Sequence, residues 1–352
     1  MNIFHSSQRG TSLVEVLVTL VLGLVVSAGA IAMVISNREA YRSTEALSRI
    51  QESTRTAFEL MSRDLRAVGI NACNGGRNRV LNLLNNPAAN WWSNWSDATR
   101  GLRGFDNTEV SGTEVFGTSA GQRITGTDRV EIMHGGTNAL TVAVHNASGG
   151  DATIGSVSLP KYALYTQQTS NFDPGDLAIV CDFESTAIFQ VSGVELGKRS
   201  IQHEAILSAS PGNCSSGLAF RTPLVCDPVG TSKVFPPGSQ IMRFETAAWF
   251  IGNNGRTAAT GSPRSLYRAT ALTPTPEEVV EGVRDMQITY MVDDAYRTAT
   301  EVNALSGGWA RVTGVQIVLT IEAPESGTST ASLGARLTRT VSHVVNLRNR
   351  VS

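Results

Sequence analysis

Between Val16 and Ile35 the chain holds twenty consecutive residues without a charge, with Thr19 and Ser27 as the only hydroxyls. No other segment limits the fold so severely. As a helix rising ~1.5 Å per residue it spans about 30 Å, the thickness of a bilayer's hydrocarbon core. A helix that is apolar on every side must be buried, in lipid or among other helices. A cleaved secretory signal has a shorter apolar region followed by a small-x-small site. Ala28-Gly29-Ala30 imitates such a site, but the apolar sequence continues past it to Ile35. Glu15 stands directly before the run. A carboxylate there is costly unless it reaches the interface or finds a partner. It snorkels to the interface, or it meets an ammonium. Cleavage after Gly10 would create that ammonium on Thr11, four residues ahead of Glu15.

Arg9-Gly10-Thr11-Ser12-Leu13-Val14-Glu15 with its apolar run resembles the class III signal of type IV pilins and type II secretion pseudopilins. The resemblance implies a leader over 1–10 and cleavage after Gly10 by a prepilin peptidase. It also implies N-methylation of the new first residue, and Glu15 as the residue that registers the helix during assembly. That first residue is usually Phe in the family; here it is Thr11.

Past Ile35 the pattern changes without a helix breaker. Leu47, Ile50, Thr54, Ala57/Phe58, Met61, Leu65 and Val68 recur every three or four residues, and charges, Asp64 among them, fill the other faces. This predicts one continuous helix over 11–69, with a transmembrane half at 13–35 and an amphipathic half that lays a stripe on a head domain. Gly69 is the expected stop. Gly23 and Gly29 read as small residues at a helix–helix contact or as points where the helix melts.

From Cys73 onward the periodicity is two. Candidate strands lie at 128–134, 139–145, 176–181, 187–191, 241–251, 286–292, 315–321 and 341–347, separated by Gly, Pro and Asn. The fold class is therefore α+β: a long N-terminal stalk helix, then a mainly antiparallel β head over 70–352. Residues 74–125 are rich in Asn and Gly and read as a large irregular loop region.

Three stretches of the head resemble PilW-type minor pilins. They are 58–69 at the helix end, Trp249-Phe250-Ile251-Gly252-Asn253-Asn254-Gly255 leading to Ser265-Leu266-Tyr267-Arg268, and Glu281 to Tyr290; the close at 339–350 is similar too. The resemblance extends over the helix and most of the chain after about residue 160. It implies a minor pilin that primes type IV pilus assembly at the pilus tip. It also implies kinship with the J-type minor pseudopilins. The implied partners are other minor pilins, the major pilin, the prepilin peptidase, the inner-membrane assembly platform and a tip adhesin. The implied location is a single pass in the inner membrane with the head in the periplasm, then the pilus at the cell surface. The rival readings are a J-type secretion pseudopilin and a tip adhesin or DNA-uptake pilin.

Cys73, Cys181, Cys214 and Cys226 make an even count in an exported head, where disulfides form. Four cysteines allow three pairings. Cys214 and Cys226 enclose a Ser-, Gly- and Pro-rich stretch suited to a local staple, leaving Cys73 with Cys181; free buried thiols are the alternative. Nothing points to a catalytic residue, a metal or a cofactor. Gly117-Thr118-Ser119-Ala120-Gly121 matches G-x-S-x-G, but it lacks the strand before and the helix after that a nucleophile elbow needs. The five histidines show no metal-ligand spacing, and no P-loop or dinucleotide fingerprint occurs. With 29 basic against 30 acidic residues, net charge gives no support to nucleic-acid binding. Trp91, Trp92 and Trp95 read as a docking surface or as a small core under the loop.

Overall fold

A single helix, α1 (Leu13–Ala67), runs through both the uncharged and the amphipathic segments without interruption. It is about 80 Å long. The computed structural model describes residues 12–69, 79–85, 90–93, 95, 101–112, 114–209, 211–219, 226–257, 261–271, 273, 275–326, 328, 335–347 and 350. The helix ends where Gly69 takes a left-handed φ of 70°, a conformation that glycine adopts without steric cost. Ala46, Ile50, Ala57, Phe58, Met61, Leu65 and Val68 are buried. This is the expected stripe, shifted by one residue at its start, where Leu47 is only half-buried. Asp64 departs from expectation: it is buried, not solvated.

The strands run in chain order as β1 (Arg79–Asn82), β2 (Leu102–Phe105), β3 (Arg129–Gly135), β4 (Leu140–Asn146), β5 (Ala152–Ile154), β6 (Val157–Leu159) and β7 (Ala163–Thr166). Then come β8 (Leu177–Cys181), β9 (Ser185–Gln190), β10 (Gly193–Glu195), β11 (Ser200–Gln202) and β12 (Gln240–Asn253). The last six are β13 (Arg264–Ala269), β14 (Glu277–Glu281), β15 (Val283–Val292), β16 (Ala295–Arg297), β17 (Gly314–Glu322) and β18 (Thr338–Asn346). A short helix, α2 (Ala299–Ala304), is started by a Thr298/Glu301 capping box.

β12 is the hub of the large sheet. Its first residues pair with β8 and β4, and the remainder pairs with β3 on one side and β13 on the other. A second sheet has the order β16-β15-β17-β18. Among the described strand pairs only β1 with β9 is parallel, so the head is mainly antiparallel.

The cores explain the arrangement. One is built by the stripe of α1 together with Trp249, Ile251, Leu266, Met286, Ile288, Ile317, Leu319 and Val345. Two others lie on opposite faces of β8 and β9. Residue 69 thus divides the chain but not the core, which runs from the second half of the helix into the C-terminal strands.

The segment 74–125 is not simply loop. It holds β1, β2 and a 3-10 turn at Trp91–Ser93. It is pinned by buried charges. Arg123 donates to Glu114 (3.0 Å) and to the Thr127 carbonyl (2.6 Å), and Arg129 bridges Glu114 (2.8 Å) and Glu131 (3.0 Å). Glu131 also accepts from Ser111. Isolated charges in a Gly- and Asn-rich stretch carry no periodic signal, so this network was invisible in the sequence. Trp95 is buried against Phe244 at 5.7 Å with Trp92 packed on the same small core, while Trp91 lies under Arg129 at 5.1 Å and packs on the separate cluster of Phe250 and Tyr267.

Candidate assembly surface

Every residue from 12 to 42 is exposed. The apolar half of α1, including Leu13, Leu17, Leu20, Val25 and Ile31, therefore has no cover among the described residues. An apolar surface of this extent marks a membrane or a partner. Glu15 lies in the first turn of the helix. There the partial positive charge of the helix N-terminus favours an anion. Gly10 and Thr11 lie outside the described residues. A Cβ added at Gly23 or Gly29 would meet nothing, so neither glycine serves packing among the described residues.

At its other end the helix is held by a polar latch. Asp64 Oδ2 accepts from Trp249 Nε1 at 3.1 Å and from Arg268 Nε at 2.8 Å. Trp249 and Arg268 sit opposite each other on β12 and β13, so one carboxylate clamps two strands to the stalk. Nearer the apolar half, Arg49 reaches Glu325 at 2.5 Å, and Phe58 rests on the His343 ring at 5.1 Å. Asp64 was missed in the sequence because its partners are 185 and 204 residues away. An acid within an amphipathic run looks like a solvated face.

The remaining candidates are structural. Cys214 and Cys226 form a disulfide with Cα atoms 4.8 Å apart. Cys181 is disulfide-bonded as well, and Cys73 lies outside the described residues. Ser119 is in an exposed turn, with no helix after it. His145 and His203 are buried with their Nε2 atoms 3.0 Å apart. The Phe235 N–H donates to His145 Nδ1 at 2.9 Å, and His203 Nδ1 lies 2.9 Å from the Ser216 carbonyl. Only one proton arrangement satisfies all three contacts. Neutral His145 carries its proton on Nε2 and gives it to His203 Nε2, and His203 donates from Nδ1 to Ser216. Both facing nitrogens are thereby engaged with each other. Burial pushes His145 down to about 2, helped by the neighbouring ring, and burial pushes His203 down to about 4. Among the described residues no three potential ligands converge.

Residues 248–349 match the family model of PilW, the type IV pilus-assembly protein W. The matched segment is less than a third of the chain, narrower than the resemblance read from the sequence. It begins one residue before Trp249 and spans β13 to β18, the strands that carry Arg268, His343 and Val345. The part of the head that resembles a pilus-assembly protein thus supplies most of the stalk's seat, and β3, outside the match, also packs on α1. This match supports a place in type IV pilus assembly, among pilus components, and a structural rather than a catalytic role. No curated protein and no solved structure matches the chain.

Proposed function

We propose that this chain is a minor pilin, a non-catalytic subunit that primes assembly of a type IV pilus and sits at its tip. The reading is carried by the family match falling on the strands to which α1 is clamped. It is supported by an apolar stalk half that nothing among the described residues covers. In this reading the stalk crosses the inner membrane with the head in the periplasm. A prepilin peptidase then cuts between Gly10 and Thr11. The new Thr11 ammonium and the Glu15 carboxylate neutralise each other between neighbouring stalks, and the apolar half passes from lipid to a helical filament core.

Intact-mass analysis of the membrane-derived protein tests the processing step. A mature chain beginning at Thr11 is expected; an uncut Met1, or a start near Ile31, overturns the reading. Glu15→Ala is expected to insert normally, because removing a charge eases insertion by up to ~3 kcal/mol, yet to lose co-purification with other minor pilins. Recovery of those pilins at the unmodified yield would remove Glu15 from assembly.

A further inference from the structure

The four-stranded sheet ends at β18, whose far side has no neighbouring strand among the described residues. The register shows which backbone groups this leaves open. Leu347 N–H donates to the Thr313 carbonyl (2.9 Å), and Ala323 N–H donates to the Leu337 carbonyl (2.8 Å). Odd residues of β17 therefore turn their backbone toward β18. The opposite edge agrees. Asp128 N–H donates to the Met286 carbonyl (2.9 Å), and Ile288 N–H donates to Asp128 Oδ2 (2.7 Å). Even residues of β15 thus face away from β17, and its odd residues pair with even residues of β17. On β18, Arg339, Val341, His343 and Val345 lie opposite the odd residues of β17 and bond to it. Thr338, Thr340, Ser342, Val344 and Asn346 direct their N–H and C=O groups to the open edge.

This edge is unlike the others. β1 and β2 have 4 residues, β10 and β16 have 3, and β14 has 5 with three glutamates and a register shift. Short length, charge and bulges are the usual protections of a free edge. β18 has 9 residues and pairs with β17 without a break in register. It holds no Pro, Gly, Lys, Asp or Glu, and Arg339 is its one fixed cation. Val344 is 45% exposed, and Thr340 and Ser342 are exposed beside it. The face they belong to continues across β17 with the uncharged Gln316, Val318 and Thr320. A row of paired donors and acceptors at this spacing is satisfied by another extended backbone.

We propose that β18 is a strand-addition site that takes an uncharged, Thr- and Val-type edge strand from a neighbouring filament subunit. β18 lies against α1, with His343 under Phe58. A subunit whose own stalk packs in parallel along the apolar half of α1 brings its head to the same end of the stalk as this edge. The proposal rests on the filament-subunit reading above.

The test places the photo-cross-linking residue p-benzoylphenylalanine at Val344, and separately at Leu22, in the full chain within cells assembling the filament. The expected result is an adduct from Val344 to a strand of a second subunit that has its own apolar stalk. Ser342→Pro should abolish this adduct and leave the one from Leu22. The proline removes an outward N–H and no bond to β17, a position where edge strands tolerate it. Should that variant misfold, amide exchange in the unmodified chain decides. The peptide covering 338–346 should exchange faster in the detergent-solubilised chain than in the initiation complex, by about tenfold or more. Adducts from Leu22 with none from Val344, or Val344 adducts only to lipid or to a second copy of this chain, overturn the strand-addition site while leaving the filament reading intact. Absence of subunit adducts at both positions overturns both.

Discussion

Replacing Asp64 by Ala would leave the Arg268 guanidinium and the Trp249 N–H without their acceptor in a buried contact. Breaking one side of a buried ion pair costs about 3–5 kcal/mol. Because Arg268 is about a quarter exposed, solvent compensates part of that loss and about 2–3 kcal/mol is expected. Asp64→Asn keeps an acceptor and should cost less. Urea unfolding of the two variants measures the difference, and equal midpoints would show that a neutral acceptor rescues nothing and that the latch rests on the charge. The His145–His203 pair makes a prediction of opposite kind. Both rings are held neutral, with folded values below the ordinary ~6.5. Unfolded rings take up protons below ~6.5 and folded ones do not, so the pair's stabilisation is full above that pH. It falls by roughly 1 kcal/mol per pH unit for each ring on acidification, toward about 4 for His203 and about 2 for His145. Ring-proton NMR should show neither histidine titrating between pH 8 and 5; a midpoint near 6.5 for either would contradict the proton arrangement. The sequence placed His145 on a strand but could not show that His203 faces it, since 58 residues separate them.

At the scale of elements, the long strands were legible and the short ones were not. β3, β12, β15, β17 and β18 each show several cycles of alternation. Strands of three or four residues, such as β5, β10 and β16, are too short to show a period. The helix was legible almost to the residue because its pattern repeats over many turns and Gly69 ends it. What periodicity did not reveal is how much of the head depends on that helix. Ile50, Phe58, Met61 and Leu65 enter the same core as β15, β17 and β18. Burying such side chains is worth roughly 1.5–3 kcal/mol each, opposed by the entropy of ordering the segment. The sum is comparable with a whole domain's typical margin of ~5–15 kcal/mol. A soluble chain begun at Asn37 should therefore melt cooperatively, while one begun at Cys73 should melt far lower or without a sharp transition. Matching melting curves would mean that the amphipathic half is not part of the head's core.

Seen as a whole, the molecule joins two regions of different character through β12. The C-terminal strands seat the stalk and resemble a pilus-assembly protein. The region from β4 to the segment before β12 builds its own core around Phe172, Phe189 and Phe235 and falls outside that match. The latch between the two ends of the chain also has a consequence in time. During synthesis, Asp64 leaves the ribosome 185 residues before Trp249. At the usual ~5–20 residues per second this is a wait of roughly ten to forty seconds, and Val345 comes later still. Throughout that interval the stalk is already made, while Ile50, Phe58, Met61 and Leu65 still lack the strands from β12 to β18 that complete their core. Until the last strand emerges that stripe is only partly covered, and a bilayer surface or a holding chaperone would shield it from aggregation in the meantime.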